Sequence, residues 1–170
     1  MKIGVLSDTH GSLTHTKKAL SYMQDCSHIL HLGDVLYHGP RNPVHDTYAP
    51  AELAAYLADR RITYVRGNCD ADVDQMVIGQ DLSHKVRLLQ MGSLVIYAVH
   101  GYEESLETRI QRALSAGANV LAWGHTHMKV LEELDGLTLL NPGSTSLPKD
   151  GSHSCAVFDK GRWGFHTWQS

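Results

Sequence analysis

The chain has 170 residues, a formal net charge of -3 at pH 7, 42% hydrophobic residues and 19% charged residues. This length and composition predict one globular domain over residues 1–170. The charge shows no basic excess, so non-specific nucleic-acid binding is disfavoured, and no apolar run approaches the length of about 20 residues that crosses a bilayer. The three cysteines are odd in number and widely spaced, which disfavours a disulfide framework and indicates reduced thiols in the cytoplasm.

Strands, helices and polar loops alternate through the first half of the chain. Apolar runs predict the strands, helix-forming residues predict the helices, and three prolines without periodicity predict a long loop. In chain order these are a strand at 2–6, a helix capped by Ser12 or Thr14 and carrying Ala19, Leu20 and Met23, a strand at 28–32, a loop at 35–50, a helix at 51–60 and a strand at 62–66.

The second half of the chain is richer in strands. A hairpin is predicted at 86–99, with its turn at 91–93, and a helix at 103–116 ends at Gly117. Further strands are predicted at 120–123, 130–134, 137–140, 154–158 and 163–168, with a loop at 141–144 among them. The repeated strand, helix, strand order is typical of an α/β protein.

Metal-binding residue types follow five of these strands. They are Asp8 and His10, Asp34, Asn68, His100, and His125 with His127. Because ligands in open α/β sheets collect beyond the carboxyl ends of the strands, we expect these side chains to converge. Seven ligands are too many for one tetrahedral zinc, but they suit two ions that share one carboxylate. The mixture of carboxylate, imidazole and amide groups fits manganese, iron or zinc better than magnesium or calcium.

Two divalent ions about 3.5–4 Å apart are typical of phosphoester hydrolysis, because they generate a bridging hydroxide and neutralise the transition-state oxygens. Each motif alone is weak evidence, since a strand-end aspartate is often a turn or a helix cap. Asp70 is expected to orient its loop, and Arg66 to form a salt bridge or reach the site. The remaining histidines are interpreted as surface or hydrogen-bonded core residues: His15, His28, His31, His45, His84, His153 and His166. The tryptophans are expected in the core.

These motifs, in this order, resemble the signature of the calcineurin-like metallophosphoesterase superfamily. The sequence around Asp34, Gly67-Asn68-Cys69-Asp70 and Asn141-Pro142-Gly143-Ser144 further resembles small bacterial phosphodiesterases of the YfcE type. The likeness covers essentially the whole chain. It implies a four-layer αββα sandwich, with a dinuclear site at one edge, and a manganese-dependent phosphodiesterase acting on a small phosphodiester.

The resemblance also implies a role for each ligand. Asp8, His10 and His127 would hold the first metal; Asn68, His100 and His125 would hold the second, and Asp34 would bridge them. Zinc, iron and nickel are the alternatives to manganese.

One residue departs from the wider superfamily. Many members carry a histidine after the Gly-Asn pair, where it contacts the phosphate and protonates the leaving oxygen, whereas this chain has Cys69. A thiol is a poor substitute for that acid. We therefore expect substrates to be phosphodiesters with good leaving groups. Arg41 is a candidate phosphate clamp, and His38 a candidate outer-shell donor or acid.

Two rival functions remain open. A phosphomonoesterase would benefit from the acid that Cys69 does not supply. A non-catalytic scaffold on the same fold, like the retromer subunit that resembles these phosphodiesterases, would be expected to lose ligands, and all seven are present here. Apolar surface at an exposed sheet edge would support a dimer or tetramer.

Overall fold

The computed structural model describes residues 1–170. Ten strands and four helices follow one another in this order: β1 (Ile3–Leu6), α1 (Leu13–Ser21), β2 (His28–His31), α2 (Pro50–Ala58), β3 (Thr63–Tyr64), α3 (Asp72–Ile78), β4 (Val86–Met91), β5 (Leu94–Val99), α4 (Leu106–Ser115), β6 (Val120–Ala122), β7 (Lys129–Leu134), β8 (Leu137–Pro142), β9 (His153–Asp159) and β10 (Arg162–Trp168).

The strands form two mixed sheets of five strands each. The first has the order β10-β9-β1-β2-β3, and the second has the order β4-β5-β6-β8-β7. In the first sheet β1, β2 and β3 run parallel, and in the second β5, β6 and β8 do. The other pairings are antiparallel. The parallel strands at the centre of each sheet carry the loops that build the site.

The two sheets pack face to face because the residues of their central strands that point inward are apolar. On β1, Ile3 and Val5 face the inner core, and on β5 Ile96 and Ala98 meet them from the second sheet. The intervening residues face outward, such as Leu6 towards the helices. A strand side chain changes face at every residue, so this alternation fixes the register of each strand against both layers.

Helices cover the two outer faces. A cluster containing Leu6, Leu20, Leu53 and Ile78 joins α1, α2 and α3 to the first sheet. A second cluster, which includes Ala113 and Trp123, joins α4 to the second sheet. The result is the four-layer αββα sandwich that the family resemblance implies, and the α/β class is confirmed.

Most predicted elements are confirmed, with differences in some. The predicted loop at 141–144 is shorter, because β8 continues to Pro142, and the helix predicted from 103 begins at Leu106, after the cap Ser105. The pattern predicts no element over 71–85, but α3 lies there, with the Ala71 N–H donating to Asp74 Oδ2 at 2.8 Å. Strand β3 is shorter than predicted. Of the tryptophans, Trp123 is buried as expected, whereas Trp163 and Trp168 are half-buried. None of the helices combines the length and apolarity required to cross a membrane.

Candidate metal centre

The strand-end residues predicted to converge lie together at the carboxyl edges of the parallel strands. Their ligand atoms form two compact sets, each with all atoms within 4.8 Å of one another: Asp8, His10 and His127 in one, and Asp34, His100 and His125 in the other. The first set comes from the loops after β1 and β6, and the second from the loops after β2, β5 and β6. Asn68, after β3, lines the same cleft.

Three of the imidazoles are held in the orientation that metal ligation requires. Each donates its Nδ1–H to a backbone carbonyl: His10 to Tyr37 at 2.8 Å, His100 to Leu32 at 2.7 Å and His127 to Leu147 at 2.6 Å. This bond fixes the tautomer and leaves the Nε2 lone pair free to bind an ion. The Nε2 atoms of His10 and His127 approach to 3.2 Å, which suits two donors directed at one cation.

Two buried atoms at the centre of the cluster make no hydrogen bond. Asp8 Oδ2 accepts from Ser7 Oγ at 2.6 Å and from the His125 N–H at 3.0 Å, but Asp8 Oδ1 has no hydrogen-bond partner and lies 3.2 Å from His127 Nε2. His100 Nε2 is likewise without one and lies 3.2 Å from Asp34 Oδ2. Buried polar groups are almost always paired, so these atoms fit a site completed by a divalent cation.

The electrostatics of the cluster favour positive charge. Burial opposes ionisation of Asp8, but the His10 and His127 imidazoles lower the pKa of its carboxyl well below the usual range. Burial alone would lower the pKa of His100, yet Asp34 and Asp8 raise it to about 9. The carboxylates therefore favour protonation of His10 and His100, whereas burial and the His100 charge lower the pKa of His125. A divalent ion would displace those protons, because metal ligation requires neutral imidazole.

The backbone is strained at five of the seven predicted ligands. Positive φ angles occur at Asp8 (55°), His10 (41°), Asp34 (58°), His125 (65°) and His127 (59°). Such angles are uncommon outside glycine and cost on the order of 1–3 kcal/mol each, so they persist only where the surrounding structure enforces them. Five such angles in one cluster indicate that the backbone geometry of these residues is maintained at a cost in stability.

The Asp70 carboxylate holds two ligand-bearing loops together. Its Oδ2 accepts hydrogen bonds from the N–H groups of Asp34 at 2.9 Å and Gly67 at 2.7 Å, and its Oδ1 accepts one from Val35 at 2.8 Å. The loop after β2 is thereby tied to the loop that carries Asn68. The prediction that Asp70 orients its loop is confirmed, and Arg66 forms a salt bridge with Asp72 at 2.8 Å.

The end of β8 and the loop that follows it, residues 141–146, position the backbone of the first ligand set. Ser144 Oγ and Ser146 Oγ both donate to the Asp8 carbonyl, at 2.8 and 2.9 Å. Asn141 Nδ2 donates to the Gly124 carbonyl at 2.9 Å, next to His125. These residues position ligands and are not ligands themselves. The Asn-Pro-Gly-Ser motif is the sequence signal for Asn141 and Ser144, but not for Ser146.

Glycine is required where these loops touch. A β-carbon at Gly124 would overlap Ser7 Oγ and lie 2.7 Å from Asp8 Oδ2. A β-carbon at Gly67 would overlap Asp34 Oδ1. The close approach of the loops therefore depends on the absence of a side chain at both positions.

A cleft of about 630 Å³ opens over the cluster. The predicted residue Arg41 lines it, and so does Lys149, for which no sequence motif gave a signal. Both side chains are exposed cations beside the candidate ligands. Phosphate oxygens are bound by such groups, and the guanidinium of Arg41 can engage two of them at once.

Cys69 and His38 occupy different environments. Cys69 Sγ lies within 4.8 Å of ligand atoms of His10 and Asp34, and burial, followed by the Asp34 charge, raises its pKa to about 12. The thiol is therefore neutral. His38 does not line the cleft; its ring packs against Tyr37 and Tyr48, with centroids 4.7 and 5.3 Å away, and its buried Nδ1 has no partner. Its role as an acid stays a prediction.

The other histidines lie outside the cluster. His31 is a hydrogen-bonded core residue, as predicted: its Nδ1 accepts from the Gly33 N–H at 3.1 Å, and its Nε2–H donates to Thr9 Oγ1 at 2.9 Å. His15 stacks on His153 with ring centroids 3.7 Å apart. The side chains of His28 and His84 are exposed.

Comparisons with known proteins identify similar sequences and a similar fold. The model of the calcineurin-like phosphoesterase superfamily domain matches residues 1–161. Phosphodiesterase YfcE of Escherichia coli strain K12 is 36% identical over 159 residues, which are 89% of this chain and 83% of that protein. The solved structure of that E. coli phosphoesterase has a TM-score of 0.83 and 33% identity, and the match covers 94% of this chain and 89% of that one.

Two more distant relatives extend the comparison. A phosphodiesterase of Methanocaldococcus jannaschii is 26% identical over 152 residues, covering 84% of this chain and 83% of that protein. The crystal structure of Vps29 from Chaetomium thermophilum has a TM-score of 0.67 at 20% identity, covering 93% of this chain and 81% of that one. The second likeness shows the shared fold alone.

Proposed function

Because the chain belongs to the calcineurin-like phosphoesterase superfamily, we propose that it is a metal-dependent phosphodiesterase that acts on a small phosphodiester. The observation that carries the proposal is the pair of ligand sets around two buried, unpartnered atoms, Asp8 Oδ1 and His100 Nε2. The relative YfcE of Escherichia coli, which is named a phosphodiesterase, matches 89% of this chain and supports the proposal.

Asp8, His10 and His127 would hold one divalent ion, Asn68, His100 and His125 would hold the other, and Asp34 would be shared between them. Bound ions of this kind generate a hydroxide nucleophile from water at neutral pH and neutralise charge on the phosphate oxygens. Manganese is the proposed metal, since carboxylate and amide oxygens are present beside the imidazoles; zinc, iron and nickel suit the same donors.

The chain's own residues would bind and orient the substrate. Arg41 and Lys149 would hold the non-bridging phosphate oxygens from the rim of the cleft. Cys69 is neutral and a weak hydrogen-bond donor, so it does little to protonate the oxygen of the leaving alcohol. Esters with good leaving groups are therefore the expected substrates.

Two other functions on this fold are disfavoured. A phosphomonoesterase would benefit from the acid that the position of Cys69 lacks. A scaffold would have no need of strained backbone at five ligand residues or of unpartnered buried atoms, both of which cost stability. We also propose that residues 1–170 form a single domain and that the protein is located in the cytoplasm. The three free cysteines support that location.

The test compares hydrolysis of bis-p-nitrophenyl phosphate with that of p-nitrophenyl phosphate. Protein stripped by chelator is resupplied separately with manganese, zinc, nickel or magnesium. We expect metal-restored cleavage of the diester and little cleavage of the monoester. His125→Ala and His127→Ala should reduce cleavage to the metal-free level, whereas the exposed control His84→Ala should match the wild type. Diester cleavage that survives either ligand substitution would refute the proposal.

A further inference from the structure

An apolar groove of about 650 Å³ lies beside the metal cleft. The loop at 36–48, helix α2 and helix α3 form its walls, and ten of its twelve lining residues are hydrophobic. The alanines of α2 that line it, Ala51, Ala54 and Ala55, share one helix face and leave the groove open. Opposite them, Val73 and Val77 of α3 are 57% and 53% exposed.

The groove and the cleft are continuous. Cys69 lines both, and its Sγ lies within 4.8 Å of ligand atoms of His10 and Asp34. Tyr37 lines the groove, and its carbonyl accepts the His10 Nδ1–H at 2.8 Å, so the groove wall is tied to a candidate ligand. A group attached to a phosphate in the cleft would therefore pass over Cys69 into the groove.

The charges of the two cavities differ. The cleft carries the cations Arg41 and Lys149. The groove has no cation; its one charged lining residue is Asp74, whose Oδ2 accepts the Ala71 N–H at 2.8 Å. A second phosphate would find no partner there. An uncharged, apolar group fits, since pockets of this volume and lining are typical binding sites for apolar small molecules.

We propose that this groove binds an apolar alkyl or aryl ester group of the phosphodiester while its phosphate lies in the metal cleft. The inference rests on the proposed function and adds the substrate class: diesters in which at least one alcohol is apolar. Val73 and Val77 of α3, with the lining residue Tyr37, are then the specificity-determining surface.

The test measures binding of n-alkylphosphonates from methyl to hexyl to the manganese-loaded protein by calorimetry. Their carbon–phosphorus bond is not hydrolysed, and each has one alkyl chain, so the result does not depend on which ester group departs. We expect the dissociation constant to fall about two- to fourfold with each added methylene until the groove is filled.

Two variants close the groove from opposite walls. Ala55→Phe fills it from α2, and Val77→Asp places a charge in it from α3; both positions are exposed, so the fold should be retained. Each should abolish the dependence on chain length and leave methylphosphonate affinity unchanged. Gln111→Phe, an exposed position of α4 on the opposite outer face that does not line the groove, should behave as the wild type.

Equal affinity for methyl- and hexylphosphonate in the wild type would overturn the proposal, and so would a chain-length dependence that survives both groove variants. A wild-type dimer by light scattering that dissociates in the groove variants, with no chain-length dependence, would assign the groove to a second copy of the chain. Diester hydrolysis is assayed separately. If phosphonate affinity depends on chain length but no diester is cleaved, the proposed binding role of the groove stands and the proposed phosphodiesterase function is wrong.

Discussion

Replacing Asp70 by asparagine tests whether one carboxylate holds the two loops that present Asp34 and Asn68. In the wild type its oxygens accept three backbone N–H bonds. The asparagine oxygen can retain the two bonds at the Oδ2 position, but its NH₂ group then faces the Val35 N–H. We expect a loss of about 2–4 kcal/mol in the free energy of unfolding, from one unsatisfied buried donor and two weakened bonds.

For a chain of this length that loss corresponds to a fall in melting temperature of roughly 5–15 °C. Because the same bonds orient ligands, kcat/KM for the diester at saturating metal should fall about 10–100-fold. The matched control is Asp72→Asn, whose side chain is 91% exposed and pairs with Arg66; we expect a change below about 1 kcal/mol. Thermal unfolding and diester hydrolysis measure both effects. If Asp70→Asn behaved like its control, the loop-clamp argument would be wrong.

Three further predictions concern other parts of the molecule. Gly124→Ala should place a β-carbon against Ser7 and Asp8, lowering stability by about 1–3 kcal/mol and weakening metal binding in calorimetry, whereas Gly164→Ala, with no atom within 4 Å, should do neither. Burial, then His153 and His45, lowers the pKa of His15 to about 4. As the pH falls, His15 is protonated at a higher pH in the unfolded chain than in the folded protein. Protonation therefore favours unfolding, and the free energy of unfolding falls by about 2 kcal/mol between pH 7 and 5. In urea unfolding of chelator-treated protein, His15→Asn should reduce that loss by the same amount; an unaltered pH dependence would contradict the assignment. Cys69→His should improve turnover of diesters with poor leaving groups, and unchanged relative rates across a leaving-group series would count against it.

The sequence predicts much of the fold because the central strands are buried on both faces and are therefore short, continuous apolar runs in the sequence. The run at 120–123 shows this: Val120 and Ala122 enter the core between the sheets, and Leu121 and Trp123 meet α4. Helix α3 could not be predicted in the same way. It has seven residues, only Asp74 and Ile78 of them buried, and too few apolar contacts to give a helical period.

The convergence of the candidate ligands could be predicted from their order after strands, as Asp34 and His100 show. The positive φ angles could not be predicted, because contacts with other loops of the same chain enforce them. The local sequence at Asp8 or His125 has no preference strong enough to indicate such angles. Lys149 and the apolar groove are also products of tertiary structure. The groove joins α2, α3 and Cys69, which share no sequence motif.

The most direct test of the account is a titration of manganese into chelator-stripped protein, with bound metal and diester hydrolysis measured at every point. Two ligand sets around Asp34 predict that hydrolysis is absent without metal and reaches its plateau at about two equivalents per chain. Full activity at one equivalent, or two bound equivalents without hydrolysis, would contradict a dinuclear phosphodiesterase.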